Sequence, residues 1–217
     1  MQLTFLLVGD STVTDEEGWA PGFRTRLRPG VECVNFARGG RSSKSYRDEG
    51  HWAEAIRTPA AYVLLQFGHN DQPGKGPERE TDPDTGFAAN LARYVAEARA
   101  AGIRPVLVTS LTRRTFDPTT GHLADTLGPY VAATRRTATA LDVPLLDLHE
   151  ASTRLCRSLG PAGCERLSPR NPDGTSTDAT HLNAAGSARF GALVAALAAD
   201  AVPRLRPFLK AAAASVT

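Results

Sequence analysis

Apolar residues gather in five runs of strand length, at 3–8, 31–36, 62–67, 105–109 and 143–147. Each is followed by helical spacing or by loop chemistry rich in small residues. Between the third and fourth runs the periodicity changes: Phe87, Leu91, Tyr94, Val95 and Ala98 form one stripe, so a helix is expected over 85–101 with Gly102 as its stop. Residues 125–141 and 183–201 carry similar helical patterns, the last with Asn183 as N-cap. Strands alternating with helices predict an α/β fold, with a parallel sheet covered on both faces by right-handed crossovers.

Such sheets bind ligands beyond the carboxyl ends of their strands. Three polar clusters are expected there: Gly9-Asp10-Ser11-Thr12 after the first run, Gly39-Gly40-Arg41-Ser42 after the second, and Gly68-His69-Asn70-Asp71 after the third. Two long loops follow from Pro, Gly and charge. One spans 72–86, beside Asn70, and the other spans 160–180 and delivers Asp178 and His181. The Ala-rich end at 211–217 reads as frayed.

Length and composition narrow the class. The 217 residues carry no linker-like stretch, so a single domain over 1–205 with a tail at 206–217 is expected. At 22% charged and 41% hydrophobic residues the composition is that of an ordinary globular protein, and a net charge of +2 gives no field suited to nucleic acid. The N-terminal apolar run lacks a basic region before it and a cleavage site after it, so it reads as a strand. No apolar run reaches the ~18 residues of a membrane helix, because 192–202 is broken by Asp200 and Pro203. A cytoplasmic protein is the expectation, secretion remaining open if a signal was removed. The three cysteines show no metal-type spacing, and free thiols are expected, a Cys156–Cys164 bridge being the alternative.

The chemistry-bearing residues suggest a split serine-hydrolase site. A serine hydroxyl needs a base to take its proton, and an imidazole needs a carboxylate to fix its tautomer. Ser11, His181 and Asp178 supply that set, the last two only three positions apart. Oxyanion donors are expected from the backbone amides of Ser11 and Gly40 and from the Asn70 side chain, Gly40 allowing close backbone approach. Each piece also has a plainer reading: Gly-Asp-Ser as a turn, Asp178 as a helix cap or metal ligand, Gly39-Gly40 and Asn70 as turn residues. The other histidines and carboxylates lack complementary spacing, so no metal is expected. Asp10 and Asp71 are expected to order their turns. His69 reads as structural or pocket-lining without a carboxylate partner, and His51, His122 and His149 as background. Trp19 and Trp52 are expected on packed helix faces, a sugar platform being the alternative.

The four blocks, ending in Asp178-x-x-His181, occur in an order that resembles the SGNH (GDSL-type) hydrolase superfamily. Thr12, Gly40-Arg41-Ser42-Ser43-Lys44-Ser45-Tyr46 and Phe67-Gly68-His69-Asn70-Asp71 make the chain most similar to its rhamnogalacturonan acetylesterase branch. The resemblance is dense over about 5–71 and 176–190. It implies a three-layer α/β/α, flavodoxin-like sandwich with five parallel strands. It further implies that Ser11 is the nucleophile, Gly40, Asn70 and the Ser11 amide the oxyanion donors, His181 the acid/base and Asp178 its orienting partner. Arg41, with Asp10, His69 and Asp71, is expected around the site or on the substrate. Ser11 at the front of the chain and a nearly adjoining Asp178 and His181 differ from the Gly-x-Ser-x-Gly arrangement of α/β-hydrolases.

The function expected is a serine esterase removing O-acetyl groups from small carbohydrates or oligosaccharides, without cofactor, nucleic-acid or membrane partner. The alternatives are a short-chain esterase, lipase or thioesterase on other esters, and a silent sugar-binding module.

Overall fold

The computed structural model describes residues 3–210. Five strands, β1 (Leu3–Gly9), β2 (Val31–Asn35), β3 (Tyr62–Gln66), β4 (Arg104–Val108) and β5 (Leu145–Leu146), form one sheet in the order β2-β1-β3-β4-β5. Every pairing is parallel, Leu7 lying opposite both Asn35 and Leu64. The order reverses at β1, so the cleft beyond its carboxyl end is where such sheets take ligands.

Seven helices cover the sheet: α1 (Ala20–Thr25), α2 (Ser45–Asp48), α3 (His51–Ala55), α4 (Ala88–Ala100), α5 (Gly128–Ala140), α6 (Leu148–Glu165) and α7 (Ala184–Ala201). Alternate strand residues face opposite layers. Phe5, Leu7, Leu64 and Val106 pack against α1, α6 and α7, whereas Leu6, Val8, Val63 and Leu65 pack against α2 to α5. Both faces are buried, which explains why the strands read as unbroken apolar runs. Asn183 caps α7 by accepting from the Gly186 amide at 2.9 Å.

Several boundaries depart from expectation. Helix α4 opens with a wider turn at Pro83–Phe87, so helical structure begins inside the expected 72–86 loop. Helix α6 takes up the start of the expected 160–180 loop. Gly160 breaks it at φ 64°, and Pro161 restarts it, its missing amide costing nothing at a first helical position. The strand expected over 143–147 pairs only at Leu145 and Leu146. The packed body also runs past residue 205. A 3-10 segment at Pro203–Phe208 buries Leu205, and Leu209 bridges antiparallel to Leu27, so the apolar Leu209 draws 206–210 onto the body. The expectation for 211–217 falls outside the described residues.

Trp19 and Trp52 are buried, as packed-face residues are. The Trp19 indole N–H donates to Gln66 Oε1, and that of Trp52 to Glu97. Cys33, Cys156 and Cys164 are free thiols. Among the described residues no helix is long and apolar enough to cross a membrane.

Candidate active site

Ser11 opens a 3-10 turn, Ser11–Val13, directly after β1. Asp10 caps that turn. Its Oδ1 accepts from the Thr12 amide at 2.9 Å and from the Thr12 hydroxyl at 2.7 Å, the local bonding that favours Asp at such positions. Its Oδ2 lies 3.2 Å from His69 Nδ1, and His69 Nε2 is 2.9 Å from the Leu111 carbonyl. A carbonyl only accepts, so Nε2 carries a proton. Burial pushes the Asp10 carboxyl up, but the adjacent His69 and the Thr12 donors prevail and hold it below the ordinary carboxylate value. His69 is therefore not a partnerless histidine; it lies against a carboxylate with no solvent exposure.

The loop before α7 supplies the other half. Asp178 Oδ1 accepts from the amides of Thr180 at 2.7 Å and His181 at 3.0 Å, a capping bond and an orienting bond made by one oxygen. Its Oδ2 is 2.6 Å from His181 Nδ1, and His181 Nε2 is 2.8 Å from Ser11 Oγ. With the carboxylate drawing the proton to Nδ1, Nε2 is left to accept from the Ser11 hydroxyl. Burial alone would raise the Asp178 carboxyl. The His181 amide and ring, with the Thr180 amide, outweigh it and hold the group below its usual value. Residues 170 positions apart thus form one proton path.

Behind this loop sits Arg114, 5% exposed. Its Nε donates to Ser168 Oγ at 2.9 Å, and Nη2 donates to the carbonyls of Asp178, at 3.2 Å, and His181. Its own amide donates to the Ala179 carbonyl at 2.7 Å. Burial lowers its guanidinium below the ordinary arginine value.

The second and third clusters close the site from the other side. Gly40 has φ 74°, a backbone that side chains other than glycine rarely adopt. A Cβ there would meet no protein atom within 4 Å, so within the protein it is the turn that calls for glycine. It is Gly39 that faces the nucleophile turn, its Cβ position 3.8 Å from Ser11 Cβ. The Asn70 amide donates to the Arg41 carbonyl at 3.2 Å and retains a second N–H. Asp71 joins the two clusters, accepting from the Ser43 amide and hydroxyl, the Gly68 amide and the Thr81 hydroxyl. Burial nonetheless pushes its carboxyl up to about 6. Arg41 is half-exposed and pairs with Glu49 at 2.8 Å. Among the described residues no group of three or more His, Cys, Asp or Glu is placed to hold a metal ion.

A hydroxyl, an imidazole and a carboxylate thus stand hydrogen-bonded in sequence just beyond β1. Residues 7–189 match the model of the GDSL-like Lipase/Acylhydrolase family. The chain belongs to that family. As a GDSL-like acylhydrolase it is 38% identical over 207 residues to the rhamnogalacturonan acetylesterase RhgT of Bacillus subtilis, covering 87% of this chain and 86% of that protein. A rhamnogalacturonan acetylesterase of Emericella nidulans is 28% identical over 206 residues, covering 85% and 80%. Among solved structures, the YXIM protein of Bacillus subtilis superposes with a TM-score of 0.78 at 23% identity over 92% of this chain, which spans 57% of that longer chain. An acetylxylan esterase of Geobacillus stearothermophilus gives 0.65 at 18% identity, covering 96% and 97%. These two share the acylhydrolase fold.

The structure brings Ser11, Asp178 and His181 together, with Gly40 and Asn70 on turns beside them. Three expectations needed correction. His69 has a carboxylate partner, and so do His51, 3.0 Å from Glu49, and His149, 3.5 Å from Asp125. Two residues of this acylhydrolase site were missed altogether. Arg114 follows the fourth apolar run, a strand-end position that could have flagged it. Glu17, at the end of Asp15-Glu16-Glu17, places Oε2 3.6 Å from His181 Nε2; only its closeness to the first block could have signalled that.

Proposed function

We propose that this acylhydrolase is a serine esterase that removes O-acetyl groups from carbohydrates. His181 Nε2 accepts the Ser11 proton as Ser11 Oγ attacks the acetyl carbonyl. The amides of Ser11 and Gly40 and the Asn70 side chain donate to the oxygen that becomes negative. The tetrahedral intermediate collapses as Nε2 returns the proton to the departing sugar oxygen, leaving acetyl-Ser11. Water then attacks the acetyl group, His181 taking its proton, and acetate departs as Ser11 Oγ is reprotonated. Asp178 keeps the imidazole in the required tautomer throughout.

The observation that carries this reading is the 2.8 Å contact between Ser11 Oγ and a His181 ring already braced by Asp178. The substrate class is supported by the 38% identical relative named a rhamnogalacturonan acetylesterase. Acetate release from acetylated pectin fragments, acetylated xylan fragments and small acetylated glycosides tests it. The expected result is turnover of at least one carbohydrate class, abolished in Ser11→Ala with folding retained, together with labelling of Ser11 by a serine-directed phosphonate. Faster hydrolysis as the acyl chain lengthens, with no acetate from any sugar, would replace it with a lipase or thioesterase. Absence of labelling would leave a silent sugar-binding module.

A further inference from the structure

Glu17 is fixed between the two halves of the site. Its amide donates to Thr14 Oγ1 at 3.3 Å, and the Thr14 hydroxyl donates to the Ser11 carbonyl at 2.7 Å. Its own carbonyl accepts from the Leu182 amide at 2.8 Å, one residue past His181. The backbone is thereby tied to the turns carrying Ser11 and His181, while the side chain remains 53% exposed. Neighbouring Asp15 is committed to Arg24 at 2.9 Å and to Asn35 at 2.8 Å. Glu17 has no lysine or arginine partner among the described residues; the side chain it faces is the His181 imidazole.

We propose that Glu17 is a specificity-determining residue that accepts a hydrogen bond from a free hydroxyl of the departing sugar, on the carbon next to the acetylated one. The inference rests on the acetylesterase reading and narrows its substrate class to partially acetylated sugars with a free neighbouring hydroxyl. The argument is one of place. His181 Nε2 must hand its proton to the departing oxygen, which requires that oxygen to come within about 2.6–3.2 Å of the ring nitrogen. Glu17 Oε2 stands 3.6 Å from the same nitrogen, so leaving group and carboxylate share one neighbourhood. A hydroxyl on the adjacent ring carbon is the nearest donor a sugar can offer there, and an ionised carboxylate only accepts. A ring acetylated at both positions, or an ester of a simple alcohol, has no donor to give and strips water from an anion without replacing the bond.

A plainer role would be pairing of Glu17 with the imidazolium formed during turnover. That would act on every ester alike, which separates the two. Glu17→Ala and wild type are to be compared by kcat/KM on a mono-O-acetylated methyl glycoside with a free neighbouring hydroxyl, on its deoxy analogue lacking that hydroxyl, and on p-nitrophenyl acetate. Wild type is expected to prefer the hydroxylated glycoside to the deoxy analogue by about 10-fold or more, the loss associated with a hydrogen bond to a charged group, and Glu17→Ala to erase that preference. Glu17→Gln, which keeps an accepting oxygen without the charge, is expected to retain part of it. An equal loss on all three esters, or a wild type indifferent to the hydroxyl, overturns the proposal. A wild type that cleaves p-nitrophenyl acetate but neither glycoside overturns the acetylesterase reading itself, and is told apart because no substitution is needed to see it.

Discussion

The guanidinium of Arg114 holds the backbone carbonyl of Asp178 at 3.2 Å, while the carboxylate of the same residue braces His181 at 2.6 Å. The same group bonds the carbonyls of Thr180 and His181, so a single buried cation fixes the turn between acid and base. Because backbone carbonyls and the Ser168 hydroxyl, and no acidic side chain, are its hydrogen-bond partners among the described residues, it serves position more than charge balance. Arg114→Met is expected to lower kcat by about 10- to 100-fold with little change in KM, since small misplacements of reacting groups are costly. Arg114→Lys should recover part of that loss but not all, as a point charge cannot span several carbonyls. Steady-state kinetics decide it; a wild-type kcat in the Met variant would assign Arg114 to folding alone.

Asn70 uses one amide proton on the Arg41 carbonyl and carries a second, which the proposed mechanism assigns to the oxyanion. Asn70→Ala should reduce kcat by on the order of 100-fold while leaving the melting temperature close to that of the parent. Undiminished turnover would remove Asn70 from the chemistry. A collapsed melting temperature would show instead that the bond to Arg41 is its main contribution.

Asp71 has the opposite linkage to Asp178. Its carboxyl is pushed up to about 6 from an ordinary 3.8, so the folded state binds its proton more tightly than the unfolded chain does. Its stabilising contribution is therefore complete below about 3.8 and is lost as pH rises through about 6. Asp178, held below its ordinary value, contributes stability above that value which is lost as the solution is acidified. Urea unfolding of wild type and Asp71→Asn at several pH values isolates the first effect. The stability advantage of wild type should shrink from about pH 4 to about pH 7, and an advantage that grows toward neutrality would contradict the raised carboxyl.

Helices α1 and α7 meet backbone to backbone. A Cβ on Gly191 would fall 2.2 Å from the Phe23 amide nitrogen, and one on Gly22 1.9 Å from the Ser187 carbonyl oxygen. Gly191→Ala must push the helices apart, and a loss of about 1–3 kcal/mol or more is expected in denaturant unfolding. An alanine variant as stable as the parent would mean that α1 shifts without strain.

How much of this was readable depended on whether the signal was local. Helix α7 and its Asn183 cap were legible because apolar spacing and capping residue lie in one stretch of chain. Helix α6 was not, since Gly160-Pro161 carries the dipeptide chemistry of a loop and does interrupt the helix, which then resumes. The Asp178–His181 pairing showed in its three-residue spacing. The Asp10–His69 pair spans 59 positions, and no pattern along the chain encodes it. Arg114 offered only its place after the fourth apolar run, for a different reason: its partners on the catalytic loop are carbonyls, which every residue possesses, so their identity leaves no trace in the sequence.

Ser11 precedes His181 by 170 positions, and α7 follows His181 closely. During synthesis the hydroxyl therefore leaves the ribosome long before the imidazole that must take its proton. On the proposed mechanism a chain cut short before His181 lacks the base its Ser11 needs, and is expected to be silent toward esters.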